Sequence, residues 1–271
     1  MTWADKAIAN PMGYARAVLF PRARDAFRHY LALGHTHRLP ICICPEMASL
    51  VVDDKLEGKN FVDVDHNGMA PGTQLYGYRN DHNESLDLDP LLTGWYREAS
   101  SPHRLISLGR HKILPLYGGG VFCTNDINLA EELDLRGFFN HGPDNSYQED
   151  VEQCFKYLPK VVHARWYQLD IWDRHLGDLL DRIPREQAMP WRCMRLAPPA
   201  KRRAIVKALR EAGIAASLNY PSFGSSNYYP GGMWWEARVI GFPLGPTGDE
   251  DFTEKAAFRA ARIIYDTLGA K

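Results

Sequence analysis

The chain has 271 residues, 45% of them hydrophobic and 24% charged, with a formal net charge of −1. That is enough apolar material for one large core or two modest ones, and the near-neutral balance argues against nucleic acid or an anionic membrane as the main partner. No run approaches the apolar length that spans a bilayer, and MTWADKAIANPMGYARAVLF lacks the charged start, apolar centre and small-residue cleavage site of a signal peptide, so a soluble, cytoplasmic protein is expected.

In chain order, RARDAFRHYLALG predicts a helix from Arg22, with Ala26, Phe27, Tyr30, Leu31 and Leu33 on its apolar side and Gly34 as its stop. His35 and His37 follow in GHTHR; without a second ligand cluster they read as a polar loop rather than a metal site. ICIC is a short buried strand, MASLVVDDKLEG a second helix and FVDVD another strand. Helix and strand alternating in this way is the rhythm of an α/β domain with a mainly parallel sheet flanked by helices. The five cysteines (Cys42, Cys44, Cys123, Cys154, Cys193) are an odd number without an export signal, and reduced thiols are expected.

A turn-rich stretch then carries one alternating piece, SLDLD, before LISL, the turn GRHK and the run GGGVFCTND. Asn125 or Asp126 can cap the next helix, whose Ile127, Ala130 and Leu133 share a face. HGPDNSYQED reads as a loop, and WYQLDIWDRHLGDLLDRI as the clearest long helix, ended by Pro184. A strand WRCMRL, a helix AKRRAIVKALREA, a strand IAASLNY, an aromatic Gly-rich loop with Tyr228, Tyr229, Trp234 and Trp235, a segment VIGFPLGP and a closing helix FTEKAAFRAARIIYDTL complete the chain. The expected organisation is a larger domain over residues 1–160, a connecting helix over 161–185 and a smaller α/β domain over 186–271. No GxGxxG or Gly-Lys-Ser/Thr phosphate loop is present, because the triple glycine follows its lysine rather than preceding it.

Taken together and in this order, SLGRHK, YGGG, VFCTND, INLAEELDLRG and FFNHG resemble the DegT-type sugar aminotransferases, pyridoxal-phosphate enzymes of fold type I. RDAFRHYLALG, LPICICP and FVDVD upstream, and KRRAIVKALREAGIAASLNYP and GFPLGPTGDEDF downstream, extend the resemblance over most of the chain. It implies the fold-type-I architecture, with Lys112 as the Schiff-base lysine and Ser107 as the serine that approaches the cofactor phosphate. It also implies a homodimer, and a nucleotide-linked keto or amino sugar as substrate.

Such chemistry needs an amine that can shed its proton, a carboxylate beside the pyridine nitrogen, donors for a phosphate, and glycines such as Gly119 where backbone must come close. Asp87 or Asp89 of SLDLD could supply the carboxylate, and Arg24 could meet the phosphate by charge. The chain departs from the family as well. The segment between FVDVD and SLGRHK is shorter, and Arg22-Ala23-Arg24 stands where the family has Ser-Gly-Thr. Residues 47–49 offer no aromatic to stack on the ring, Asn219 replaces a histidine, and Gly118 a glutamate. The alternative is therefore a degenerate, non-catalytic homologue that serves in binding or assembly.

Overall fold

The computed structural model describes residues 2–33, 41–43, 61–63, 87–89, 102–109, 112–113, 119–136, 145–183, 191–218, 230–245 and 250–269. The His35/His37 pair, the MASLVVDDKLEG helix, residues 47–49, Cys44, Gly118, Asn219, Tyr228 and Tyr229 lie outside them.

A short π-helical turn, Asp5–Ala9, and a 3-10 turn, Asn10–Met12, lead into strand β1, Arg16–Phe20, which sequence reasoning did not anticipate. Ala17, Val18 and Phe20 of β1 are buried. The buried Asp5 carboxylate accepts the Ala17 N–H at 2.9 Å and sits 3.5 Å from Arg16 Nε, fixing the N-terminal turn to the strand. Helix α1 is Ala23–Ala32. Its Ala26, Phe27 and Tyr30 are buried as the apolar periodicity requires.

Strands β2 (Ile41–Ile43) and β3 (Phe61–Asp63) pair in parallel. Strand β4 (Asp87–Asp89) pairs in parallel with β5 (His103–Ser107), while β6 (Gly120–Thr124) runs antiparallel to β5 and to β1, giving the order β1-β6-β5-β4. The expected mainly parallel arrangement is met at β2/β3 and β4/β5. The four-stranded sheet is nonetheless mixed, because β6 reverses direction on both sides, as α/β sheets often allow near an edge. Tyr30 of α1 lies on it, its ring 5.2 Å from Phe122 and 5.6 Å from His103.

Helix α2, Ile127–Arg136, is capped by Asp126, whose Oδ1 accepts the Leu129 N–H at 3.0 Å. The alternative cap, Asn125, instead accepts the Ala15 N–H at 2.8 Å and ties the entry of β1 to the end of β6. Leu129, Ala130 and Leu133 form the buried face. Ile127, expected there, is 53% exposed.

Helix α3 runs Asn145–Leu176, so it begins inside the segment read as a loop and passes through Pro159. It stops before Gly177, which takes φ +41°, rather than at Pro184. Its first half inserts Val151, Phe155, Leu158 and Val162 into one apolar cluster with β1, α1, β5, β6 and α2. Its second half inserts Leu169, Ile171, Trp172 and Leu176 into another.

The second cluster is closed by the antiparallel sheet β7 (Asp181–Arg182), β8 (Cys193–Leu196), β9 (Val239–Phe242) and by helices α4 (Pro199–Glu211) and α6 (Glu250–Leu268). Of the expected strand IAASLNY, the described residues, through Leu218, contribute a single bridge, Ser217 to Gly241. Part of the expected aromatic loop is a helix, α5 (Pro230–Arg238). Its Trp235 is buried in the first cluster, and Arg238 lies 4.4 Å from the Trp234 ring.

Candidate active site

Ser107 closes β5, and the chain turns there. The Leu108 N–H donates to the Gly119 carbonyl at 3.0 Å, and the Lys112 N–H to the Gly109 carbonyl at 2.9 Å. The second bond spans three residues, as in a β-turn. Ile113, buried beside it, anchors the turn, and Lys112 is half-buried. A Cβ built on Gly109 would lie 3.8 Å from Ser107 Oγ and 4.0 Å from Lys112 Cγ. The serine hydroxyl and the stem of the lysine therefore lie on the same side of the chain at Gly109, close to one another.

The glycine run performs a second task. Gly119 takes φ +121° and bridges to Arg22, just ahead of α1. A Cβ on Gly120 would fall 2.3 Å from the Cα and 2.4 Å from the N of Ala23. Only glycine lets β6 start this close to the first residue of α1. The close approach is thus to protein backbone. The first N–H groups of a helix lack intrahelical acceptors and carry partial positive charge, so this contact sets a donor-rich helix end beside the edge where β5 ends.

Arg22 grips Asp25 with two bonds, Nε to Oδ2 at 2.9 Å and Nη2 to Oδ1 at 2.8 Å, and this carboxylate holds the Arg22 proton more tightly than usual. Arg28 approaches the same carboxylate at 3.5 Å. The acid of the first turn is thereby matched by two cations, and Arg24, half-buried in that turn, adds a third.

The register of β4 separates the two candidate carboxylates. Asp89 is opposite Ile106, the residue before Ser107, while Asp87 is opposite Arg104. Asp89 thus ends its strand at the edge where Ser107 ends β5, and Asp87 lies further in, beside a fully buried arginine stacked 5.5 Å over the Tyr14 ring. Ser107, Lys112, Gly119, Asp89 and the Arg24 turn of α1 gather at one edge of the sheet; Asp87 is set back from it. Sequence reasoning placed Arg22 in the stretch that stands for the phosphate element and Gly120 in the glycine run, but missed Gly109 and the contact that Gly120 makes with α1. The adjacency of Ser107 and Lys112 could have pointed to Gly109, but no local signal marks the contact of Gly120 with α1. Among the described residues no His, Cys, Asp or Glu cluster is arranged to hold a metal ion, and no helix is long and apolar enough to cross a membrane.

No protein-family profile matches this chain, and no curated protein matches it in sequence. Solved structures do. PseC of Helicobacter pylori, an aminotransferase in the biosynthesis of pseudoaminic acid, superposes with a TM-score of 0.73 at 14% identity, over 98% of this chain and 90% of its own. A DegT/DnrJ/EryC1/StrS aminotransferase of Brucella abortus gives 0.74 at 16% identity, over 98% and 89%. NtdA of Bacillus subtilis, solved with its cofactor PMP bound, gives 0.71 at 12% identity, over 96% and 76%. The chain has the α/β fold of the DegT-type sugar aminotransferases. The likeness of fold extends over nearly the whole chain.

Proposed function

We propose that this protein is a divergent DegT-type aminotransferase that uses pyridoxal phosphate and acts on a small-molecule substrate of the nucleotide-linked keto- or amino-sugar class. The observation that carries the reading is the closeness of Ser107 Oγ and the stem of Lys112 about Gly109. The fold of the structural neighbours supports it.

The residues present fit the cofactor. About Gly109 a hydroxyl and the stem of an amine-bearing side chain come close together, each within about 4 Å of where a Cβ would stand. Beside it stands a helix end that a phosphate favours. Lys112 is the amine that would hold the cofactor; Ser107, the first turn of α1 with Arg24, and the Gly119 backbone would meet its phosphate. Asp89 is preferred to Asp87 as the carboxylate for the ring nitrogen, because its register puts it one residue from Ser107 at the sheet edge. When bound, pyridoxal phosphate supplies an aldehyde that captures amines and a ring that accepts electrons. Lys112 would take a proton from the substrate α-carbon and return it elsewhere, a task its half-buried position suits by limiting competition from water.

The same reading divides the chain into a larger cofactor-type unit and a smaller C-terminal one joined by α3, although Trp191, Met194, Trp235 and Val239 of the C-terminal part pack in the first apolar cluster. It also makes the protein a homodimer; a sizing run that shows only monomer contradicts that part. The test of the site is spectroscopic. Purified protein given pyridoxal phosphate should gain a visible absorption band, lost in Lys112→Ala and weakened in Ser107→Ala. A wild-type protein that stays colourless contradicts the proposal.

A further inference from the structure

The first turn of α1 carries an anion of its own at the place where the proposed cofactor would set its phosphate. Arg22 stands just ahead of that turn. Its carbonyl accepts the Asp25 N–H at 3.0 Å and the Ala26 N–H at 3.4 Å, and its backbone bridges to Gly119. The Arg22 side chain folds back and forks onto the Asp25 carboxylate, Nε to Oδ2 at 2.9 Å and Nη2 to Oδ1 at 2.8 Å. The backbone of Arg22 is thus fixed at the sheet edge while its guanidinium is committed to an anion of the same turn.

That pairing is one a phosphoryl group can copy, because a guanidinium fork fits two oxygens of either a carboxylate or a phosphate. The Arg22 side chain is 64% exposed, so moving the fork from one anion to the other costs little. Asp25 is not stranded by the exchange, since Arg28 Nη1 lies 3.5 Å from its Oδ1. A phosphate monoester carries more charge than a carboxylate at neutral pH and offers three acceptor oxygens, and a helix end favours it. Two anions beside one fork also repel each other.

We propose that Asp25 competes with the phosphoryl group of the ligand for the Arg22 guanidinium, and so sets how strongly the site prefers phosphorylated over unphosphorylated ligands. The proposal rests on the cofactor reading above. In it Asp25 is a positioning residue, which acts through Arg22 and touches no ligand itself.

The experiment titrates the full chain with pyridoxal phosphate and, separately, with pyridoxal, following the visible band. The ratio of the two dissociation constants is the phosphate preference. A merely structural loss at α1 moves both constants alike, whereas release of Arg22 moves only the first. Asp25→Asn should raise the preference about three- to fivefold, the scale of an exposed ion pair. The same change in an Arg22→Gln background should raise it less, since no fork is then released. Should Asp25→Asn fail to fold, Asp25→Ser carries the test, because it also lacks the charge and suits the start of a helix. A preference left unchanged or lowered by Asp25→Asn overturns the proposal, and so does an equal gain with and without Arg22. Those outcomes leave the cofactor reading standing, because the wild-type band is present in each. A wild type that gives no band with pyridoxal phosphate contradicts the cofactor reading itself, and the proposal with it.

Discussion

At Gly120 the backbone of β6 touches the backbone of α1 with no space for a carbon atom: the missing Cβ would meet Ala23 Cα at 2.3 Å and Ala23 N at 2.4 Å. Backbone cannot swing aside as a side chain can, so Gly120→Ala has to push the strand from the helix. A cost of ~3 kcal/mol or more is expected, read by chemical denaturation, together with loss of the proposed pyridoxal phosphate binding because the edge carrying Ser107 and Lys112 shifts too. An alanine variant of wild-type stability would contradict this picture of the edge. The residues of the site were legible in unequal measure. Ser107 and Lys112 are near neighbours in sequence and their turn is local, so a motif could point to both. Asp87 and Asp89 could not be told apart, because strand register is settled by pairing with β5. The role of Gly120 depends on a contact with a helix far away in the chain, which no local pattern encodes.

Among the elements, α3 was the most misread. Val151, Phe155, Leu158 and Val162 keep a helical spacing ahead of the obvious apolar run, but Pro159 and the polar segment before it argue locally for a loop. Packing against the first core outweighs the hydrogen bond that a proline forfeits inside a helix. The same helix carries a buried ion pair, Asp173 with the fully buried Arg195 of β8. Asp173→Ala leaves that arginine's charge uncompensated and should cost ~3–5 kcal/mol; the double variant with Arg195→Met should recover most of the loss. If the double variant is no more stable than Asp173→Ala, the charge is not what matters.

A second link between α3 and α6 is exposed. Glu254 meets His175 and, at 3.2 Å, Arg174. The bond from His175 is the larger cause that holds the Glu254 carboxyl below its ordinary value, with the Arg174 charge the smallest. A carboxyl lowered by folding contributes stability above the ordinary glutamate range and loses it as pH falls through the folded value. The melting-temperature advantage of the wild type over Glu254→Gln should therefore shrink between about pH 6 and about pH 3. An advantage that grows on acidification would reverse the sign and contradict the contact.

For the whole molecule, the α/β class and most of the C-terminal elements were readable. WRCMRL, AKRRAIVKALREA and the closing helix appear as β8, α4 and α6 because their apolar periods are strong and their ends are marked by proline or glycine. What was not readable is the arrangement of long-range neighbours: β1 joining the sheet from the N-terminal side, β6 running antiparallel to both neighbours, and the described part of IAASLNY contributing one bridge instead of a strand. These depend on partners far apart in sequence. The resemblance of fold to aminotransferases spans the chain, whereas the proposed chemistry rests on a few residues at one sheet edge.

The most direct measurement is borohydride reduction of the protein mixed with pyridoxal phosphate, followed by peptide mass spectrometry. The proposed site predicts a pyridoxyl label on Lys112 that is absent from Lys112→Ala and diminished in Arg24→Ala, which removes the proposed phosphate contact. A label spread over exposed lysines such as Lys201 and Lys207, with none on Lys112, would contradict it.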